Sequence, residues 1–197
     1  MRNIASSGAR EFARLCAELD RLKVENERLR RENGRFAALA LRDELTGLHN
    51  RRYLGDRLTE ELCRLKRNPA GAVSVICIDV NDFKRVNDTG GHAAGDAALI
   101  AIGELLVSIV RTQDVVCRLG GDEFVVLLPD TQGDQAARVL DRIKARAPTL
   151  GLGGRALAIG VASWQPGDDE ASLLSRADTR MYVDKRTAST AFSCDAA

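Results

Sequence analysis

The chain has almost no charge imbalance: 29 Lys and Arg stand against 28 Asp and Glu in its 197 residues. That balance argues against bulk electrostatic capture of nucleic acid or of an anionic membrane. No apolar run comes near the roughly 18 residues that span a bilayer, and the N-terminus has no signal-peptide core. The five cysteines, Cys16, Cys63, Cys77, Cys117 and Cys194, contain no Cys-x-x-Cys pair and no metal-finger spacing. They read as reduced thiols of a cytoplasmic protein, with Cys77 and Cys117 packed in strands. Internal repeats are lacking too. What remains is the expectation of one globular unit plus an extension, with neither nucleic acid nor membrane as a partner.

The extension comes first. Phe12, Leu15, Leu19, Leu22, Asn26, Leu29, Asn33, Phe36 and Ala40 recur at alternating steps of three and four. That spacing is a heptad seam. Arg and Glu are interspersed outside it, as on a solvated face. Two arrangements fit: a single amphipathic helix packed on its own domain, or a parallel two-stranded coiled coil. Asn26 and Asn33 favour the second, because seam asparagines pair across a parallel dimer and fix its register. Mixed charge, with no basic block before the leucines, argues against a nucleic-acid zipper. The expected organisation is a flexible N-terminus (1–11) and a coiled-coil dimerisation stalk (12–42), followed by one domain (43–186) and a disordered tail (187–197). The stalk would be about 30 residues long, or about 45 Å of helix.

Beyond the stalk the pattern alternates. Val73-Ser74-Val75-Ile76-Cys77-Ile78 ends at Asp79 and suits a central strand buried on both faces. An acid at the C-terminal end of such a strand lies where ligands gather in α/β sheets. Val115–Cys117 and Val125–Leu128 read as two more strands. Between them, Arg118-Leu119-Gly120-Gly121-Asp122-Glu123-Phe124 forms a hairpin whose glycines let backbone approach a ligand closely. Two acids beside two glycines suit a metal or a phosphate. An ordinary turn also accommodates Gly-Gly-Asp, and spacing alone leaves both readings open. Helices are expected over 50–66, 97–110, 133–147 and 171–185, and a fourth strand over 155–163. A sheet covered by helices follows, of the α/β (α+β) class.

These stretches, with Asp43-Glu44-Leu45-Thr46-Gly47-Leu48-His49-Asn50-Arg51-Arg52, Asp79-Val80-Asn81-Asp82-Phe83-Lys84-Arg85-Val86-Asn87-Asp88 and Gly91-His92-Ala93-Ala94-Gly95-Asp96, resemble the GGDEF family of diguanylate cyclases. The resemblance covers roughly residues 43–186. It implies a palm-like sheet similar to that of nucleotidyl cyclases and polymerases. It implies that two GTP molecules become cyclic di-GMP, the 3′-hydroxyl of each attacking the α-phosphate of the other and pyrophosphate leaving. It also implies two Mg²⁺ (or Mn²⁺) ions per active site, held by Asp79, the Val80 carbonyl and Asp122. Glu123 then serves as a further metal ligand or as the base for the 3′-hydroxyl. Two cations of this kind are common in phosphoryl transfer, and magnesium takes few carboxylates. Asn87 and Asp96 stand at the guanine-reading positions, while Phe83, Lys84 and Lys185 stand at those that hold phosphates. Plainer readings exist for some of them: a strand-end cap for Asp79, an N-cap for Asp96 at a helix starting with Ala97, and a hydrogen-bonded structural role for His92.

The chain departs from the family pattern near its end. Ala177-Asp178-Thr179-Arg180-Met181-Tyr182-Val183-Asp184-Lys185 resembles the family's last helix, but Ser189 stands where a phosphate-contacting arginine is usual. Arg186 is the candidate substitute, and Asp184 brings negative charge next to Lys185 in sequence. Asn81 replaces a second acid, and Gly90 an aromatic. Arg111-Thr112-Gln113-Asp114 lies at the offset of the family's Arg-x-x-Asp inhibitory site for cyclic di-GMP. Arg142 is a candidate second contact there, supplied by another protomer. Because each domain would hold one GTP, the stalk is expected to tether a homodimer. Two other classes compete with the enzyme: a catalytically silent cyclic di-GMP receptor, and a coiled-coil adaptor that only binds GTP.

Overall fold

A computed structural model describes residues 14–15, 18–29, 40–152 and 156–194, and the chain divides into two compact units, Met1–Ala40 and Leu41–Ala197. In the first unit residues 18–29 are helical. Leu15, Leu19, Leu22 and Leu29 are 50–58% exposed, so this part of the leucine seam is open to solvent. Phe12, Asn33 and Phe36 lie outside the described residues.

The second unit runs α1 (Arg51–Arg67), β1 (Val73–Val80), α2 (Phe83–Ile109), β2 (Val115–Gly120), β3 (Glu123–Pro129), α3 (Gly133–Arg146), a 3₁₀ turn (Ala147–Leu150), β4 (Leu157–Ser163) and α4 (Glu170–Cys194). Asn50 caps α1 by accepting a hydrogen bond from the Tyr53 N–H, and Leu54, Leu58, Leu62 and Leu65 form its buried stripe. Arg64, Lys66 and Arg67 complement the dipole in its last turn.

The sheet order is β2-β3-β1-β4, with every neighbouring pair antiparallel. β1 is central and buried on both faces, as its apolar run requires. Side chains alternate across it. Ile76, Ile78 and Val80 pack with Leu99, Ile102 and Leu106 of α2 and Ile143 of α3. Val73, Val75 and Cys77 pack with Leu58 and Leu62 of α1 and Leu173, Ala177 and Met181 of α4. Cys77 and Cys117 are free and buried, and burial pushes each thiol up to about 12.

Two helix boundaries differ from the sequence expectation. α2 starts at Phe83 rather than Ala97, because only Gly91 (φ +77°, ψ 169°) leaves helical geometry in the glycine-rich stretch. α2 is thus two helical stretches that meet at a break at Gly91, in place of a loop and a helix. By length and composition it is the one described helix that could cross a membrane. Here Leu99, Ile102 and Leu106 lie in the core. α4 continues past Arg186 to Cys194, since residues 187–194 contain neither Gly nor Pro to stop it. Its contact with β4 is very close: a Cβ on Gly160 would collide with the backbone of Ala177 and Met181.

Candidate active site

The strand register decides whether the two acids meet. β1 and β3 pair antiparallel with Asp79 opposite Glu123, and the Val80 N–H donates to the Asp122 carbonyl at 3.2 Å. Asp79, Val80, Asp122 and Glu123 therefore gather at one end of the sheet. Between β2 and β3, Gly120 (φ +132°) and Gly121 (φ +54°) take backbone angles that side chains resist. Arg118 clamps this turn: its Nε and Nη2 donate to the Gly121 carbonyl at 3.0 and 2.7 Å, and its Nη1 donates to Asp43 Oδ1 at 3.0 Å. Burial pushes the Asp43 carboxyl up, but hydrogen bonds from Thr46 and Arg118 outweigh it and hold the pKa below the usual range. This clamp is absent from the sequence reading. An arginine at the end of a buried strand was the available signal, since such a charge demands a partner.

Asp79 is mostly buried and accepts a hydrogen bond from Lys185 Nζ at 2.6 Å. Burial raises its pKa, Lys185 opposes that rise, and the negative charges of Asp122 and Asp178 add to it. Asp122 is thus near enough for its charge to be felt at Asp79, and Asp178 is a further nearby acid that the sequence reading passed over. Arg51 Nη2 lies 3.5 Å from Glu123 Oε2. Asp184 and Lys185, adjacent in sequence, take different partners. Asp184 turns to Lys144 (2.7 Å) and accepts from the Ile159 N–H (2.9 Å), clipping α4 to α3 and β4. No three His, Cys, Asp or Glu side chains form a preassembled metal cage among the described residues. Magnesium needs none, because one or two carboxylates with substrate phosphates and water suffice. Asp79, Asp122 and the Val80 carbonyl fit that requirement.

After β1 the chain passes Asn81, whose N–H donates to the Ala156 carbonyl at 2.8 Å, and Asp82 at φ +53°, before α2 begins at Phe83. Phe83 and Lys84 thus form the helix N-terminus, where free N–H groups and the dipole favour phosphate. Gly95 permits the next contact: a Cβ there would overlap the Asn87 side-chain amide and stand 3.2 Å from the Phe83 ring. Asn87 is therefore seated against the residue preceding Asp96. Asp96 is exposed and lies inside α2, so the N-cap reading is corrected by the earlier helix start. His92 is exposed and makes no side-chain hydrogen bond among the described residues, which removes its expected structural role. The side chain of Ser189 lies outside the described residues.

Arg111 and Asp114 close a turn before β2. The Arg111 N–H donates to Asp114 Oδ2 at 2.8 Å, and the Asp114 N–H donates to the Arg111 carbonyl at 3.0 Å. Asp114 Oδ1 is buried without a partner. Burial raises the carboxyl's pKa, opposed by Arg111 and by the charge of Arg142. Arg142 thus acts on Asp114 within one chain.

Residues 40–190 match the model of the family described as diguanylate cyclase, GGDEF domain. The chain is 38% identical over 182 residues to the response regulator PleD of Caulobacter vibrioides, covering 88% of this chain and 40% of PleD. It is also 38% identical over 199 residues to the diguanylate cyclase TpbB of Pseudomonas aeruginosa, covering 95% of this chain and 46% of TpbB. The chain therefore spans less than half the length of these relatives. A solved structure of the coiled coil and GGDEF domain of DgcB from Caulobacter crescentus, in complex with cyclic di-GMP, aligns at TM-score 0.79 and 26% identity. It covers 88% of this chain and 95% of that one. The diguanylate cyclase SiaD of Pseudomonas aeruginosa, solved with its activator SiaC, aligns at TM-score 0.71 and 33% identity, covering 93% and 73%. With the acids of two strands converging in a fold that these bacterial proteins share, this chain belongs to the GGDEF-domain family of diguanylate cyclases.

Proposed function

We propose that this chain is a diguanylate cyclase, converting two GTP into cyclic di-GMP and two pyrophosphates in the cytoplasm of a bacterium. The observation that carries the reading is the meeting of Asp79, Asp122 and Lys185 at one end of the sheet. Asp79, Asp122 and the Val80 carbonyl would hold two Mg²⁺ or Mn²⁺ ions. When bound, these neutralise phosphate charge and make the 3′-hydroxyl more acidic. Lys185, Lys84 and the N–H groups at the start of α2 bind the triphosphate. Asn87 and Asp96 read the guanine edge through paired donors and acceptors. Glu123, opposite Asp79 in register, serves as metal ligand or accepts the 3′-hydroxyl proton.

Each domain supplies half of the reaction, so two copies must face each other. The exposed leucines of the N-terminal helix support a parallel coiled-coil homodimer, as does the likeness to a solved protein containing a coiled coil. The structure of SiaD with its activator supports a protein activator as a further partner of this chain. Arg111 and Asp114, with Arg142 nearby, form the proposed inhibitory site for cyclic di-GMP, and the unpartnered Asp114 oxygen supports it. The serine at position 189 favours a second reading, a receptor that binds cyclic di-GMP without turnover.

One assay separates these readings: purified chain with GTP and Mg²⁺, products resolved by chromatography. Cyclic di-GMP should form, and Glu123→Gln should abolish it. Tight product binding without turnover by the unaltered chain would establish the receptor instead.

A further inference from the structure

The Arg111–Asp114 turn does not stand alone. It lines a cavity of about 380 Å³ together with Arg42, Leu48, His49 and Val107. Three side-chain polar atoms are buried without a partner among the described residues, and two of them, Asp114 Oδ1 and His49 Nδ1, belong to residues lining this cavity. An unsatisfied buried polar atom is costly and marks a place where a ligand or water completes the hydrogen bonding. Burial, then the charge of Arg42, lowers the His49 pKa, so its imidazole is neutral at pH 7. Arg42 is exposed and uses one of its five N–H donors on the Gly47 carbonyl at 2.8 Å. The cavity wall thus offers two guanidinium groups, one carboxylate acceptor and one neutral imidazole. That set suits an anion joined to a planar base edge.

Arg42 and His49 also belong to one loop. They form an antiparallel bridge, the Asp43 N–H donates to the Leu48 carbonyl at 2.8 Å, and the Gly47 N–H donates to the Asp43 carbonyl at 2.9 Å. The His49 carbonyl accepts from the N–H of Arg118, the residue that clamps the Gly121 turn. A ligand held by Arg42 and His49 would therefore grip the loop through which the chain enters the domain, and that loop is bonded to the hairpin bearing Asp122.

We propose that Arg42 and His49 complete the product pocket: Arg42 pairs with a phosphodiester oxygen of cyclic di-GMP, and His49 Nδ1 hydrogen-bonds to its guanine edge. This rests on the reading of Arg111 and Asp114 as a cyclic di-GMP site. Bound product then ties residues 42–49 to the Arg111–Asp114 turn.

Calorimetric titration of cyclic di-GMP into the full chain tests it, beside Arg42→Ala, Arg42→Lys and Arg111→Ala. Arg42→Ala should weaken binding about tenfold or more, the loss expected for one charge-assisted hydrogen bond. Arg42→Lys should recover part of that loss. In the unaltered chain, cyclic di-GMP should slow hydrogen exchange at the amides of Asp43, Gly47 and His49. Wild-type affinity in Arg42→Ala, alongside lost binding in Arg111→Ala, overturns this proposal and leaves the product site standing. Wild-type affinity in Arg111→Ala overturns the product site itself. If Arg42→Ala does not fold, the exchange measurement decides, and unchanged exchange in residues 42–49 on binding ends the proposal.

Discussion

Asp79 is under opposing demands. To hold a cation it must be ionised, yet its surroundings favour the neutral acid: burial raises its pKa, and Asp122 and Asp178 add to the rise against Lys185. A carboxyl whose folded pKa lies above its unfolded value contributes no penalty while protonated in both states, and destabilises the fold as pH rises and it ionises. At pH 7 the charge is therefore a burden on stability that binding must offset. Asp79→Asn removes the charge and keeps an oxygen for Lys185 to bond. Its thermal midpoint at pH 7 should equal or exceed that of the parent, while cyclic di-GMP formation falls at least about 100-fold, as for loss of a main electrostatic group. A midpoint several degrees lower would mean that the Lys185 ion pair outweighs the burial cost. The motif residues were legible because their types and order carry the chemistry. What Arg118, Gly95 and Asp178 do inside those motifs was not, because it depends on partners the local sequence does not show. Arg118 meets Asp43 across 75 residues, and Gly95 matters only because Asn87 folds back onto it.

At the level of elements, α4 is the piece on which the site depends most. It carries Asp178 and Lys185 to β1, and it approaches β4 closely only because residue 160 is glycine. In a strand, Gly→Ala ordinarily stabilises slightly, through lower chain entropy. At Gly160 the sign should reverse. The new methyl would collide with the backbone of Ala177 and Met181, which cannot swing aside as a flexible side chain can. Gly160→Ala should cost about 1–3 kcal/mol, the range for overpacking, read as a lower urea midpoint with unchanged slope. Product formation should fall as well, because displacing α4 moves Lys185 away from Asp79. A variant as stable as its parent would show that α4 does not need this close seat. The order of elements was readable from alternating apolar runs and turn residues, and the hairpin fell between Gly120 and Glu123 as its composition required. The start of α2 was not readable. Gly90 and Gly91 look alike in sequence, yet Gly90 stays helical and only Gly91 departs, a distinction that residue type alone does not carry.

For the molecule as a whole, the proposed function makes the leucine seam and the half-site two parts of one requirement. A domain that holds one GTP cannot close a ring of two nucleotides alone, and near-neutral charge gives two copies no strong mutual steering. Under the proposed function, tethering would supply what charge does not, since a linked second half-site has an effective concentration near the millimolar range. Leu22 and Leu29 are more than half and half exposed, respectively, in the single chain. Replacing both by Glu should yield a monomer by sedimentation with an unchanged thermal midpoint for the domain. At about 1 µM protein its specific activity should fall between ~10-fold and ~1,000-fold, the upper bound being the ratio of tethered to free concentration. That activity should climb again as protein concentration rises, because encounter has become bimolecular. Loss of activity without recovery would place the leucines in folding rather than in tethering. Full activity in dilute, demonstrably monomeric protein would remove the two-domain requirement altogether.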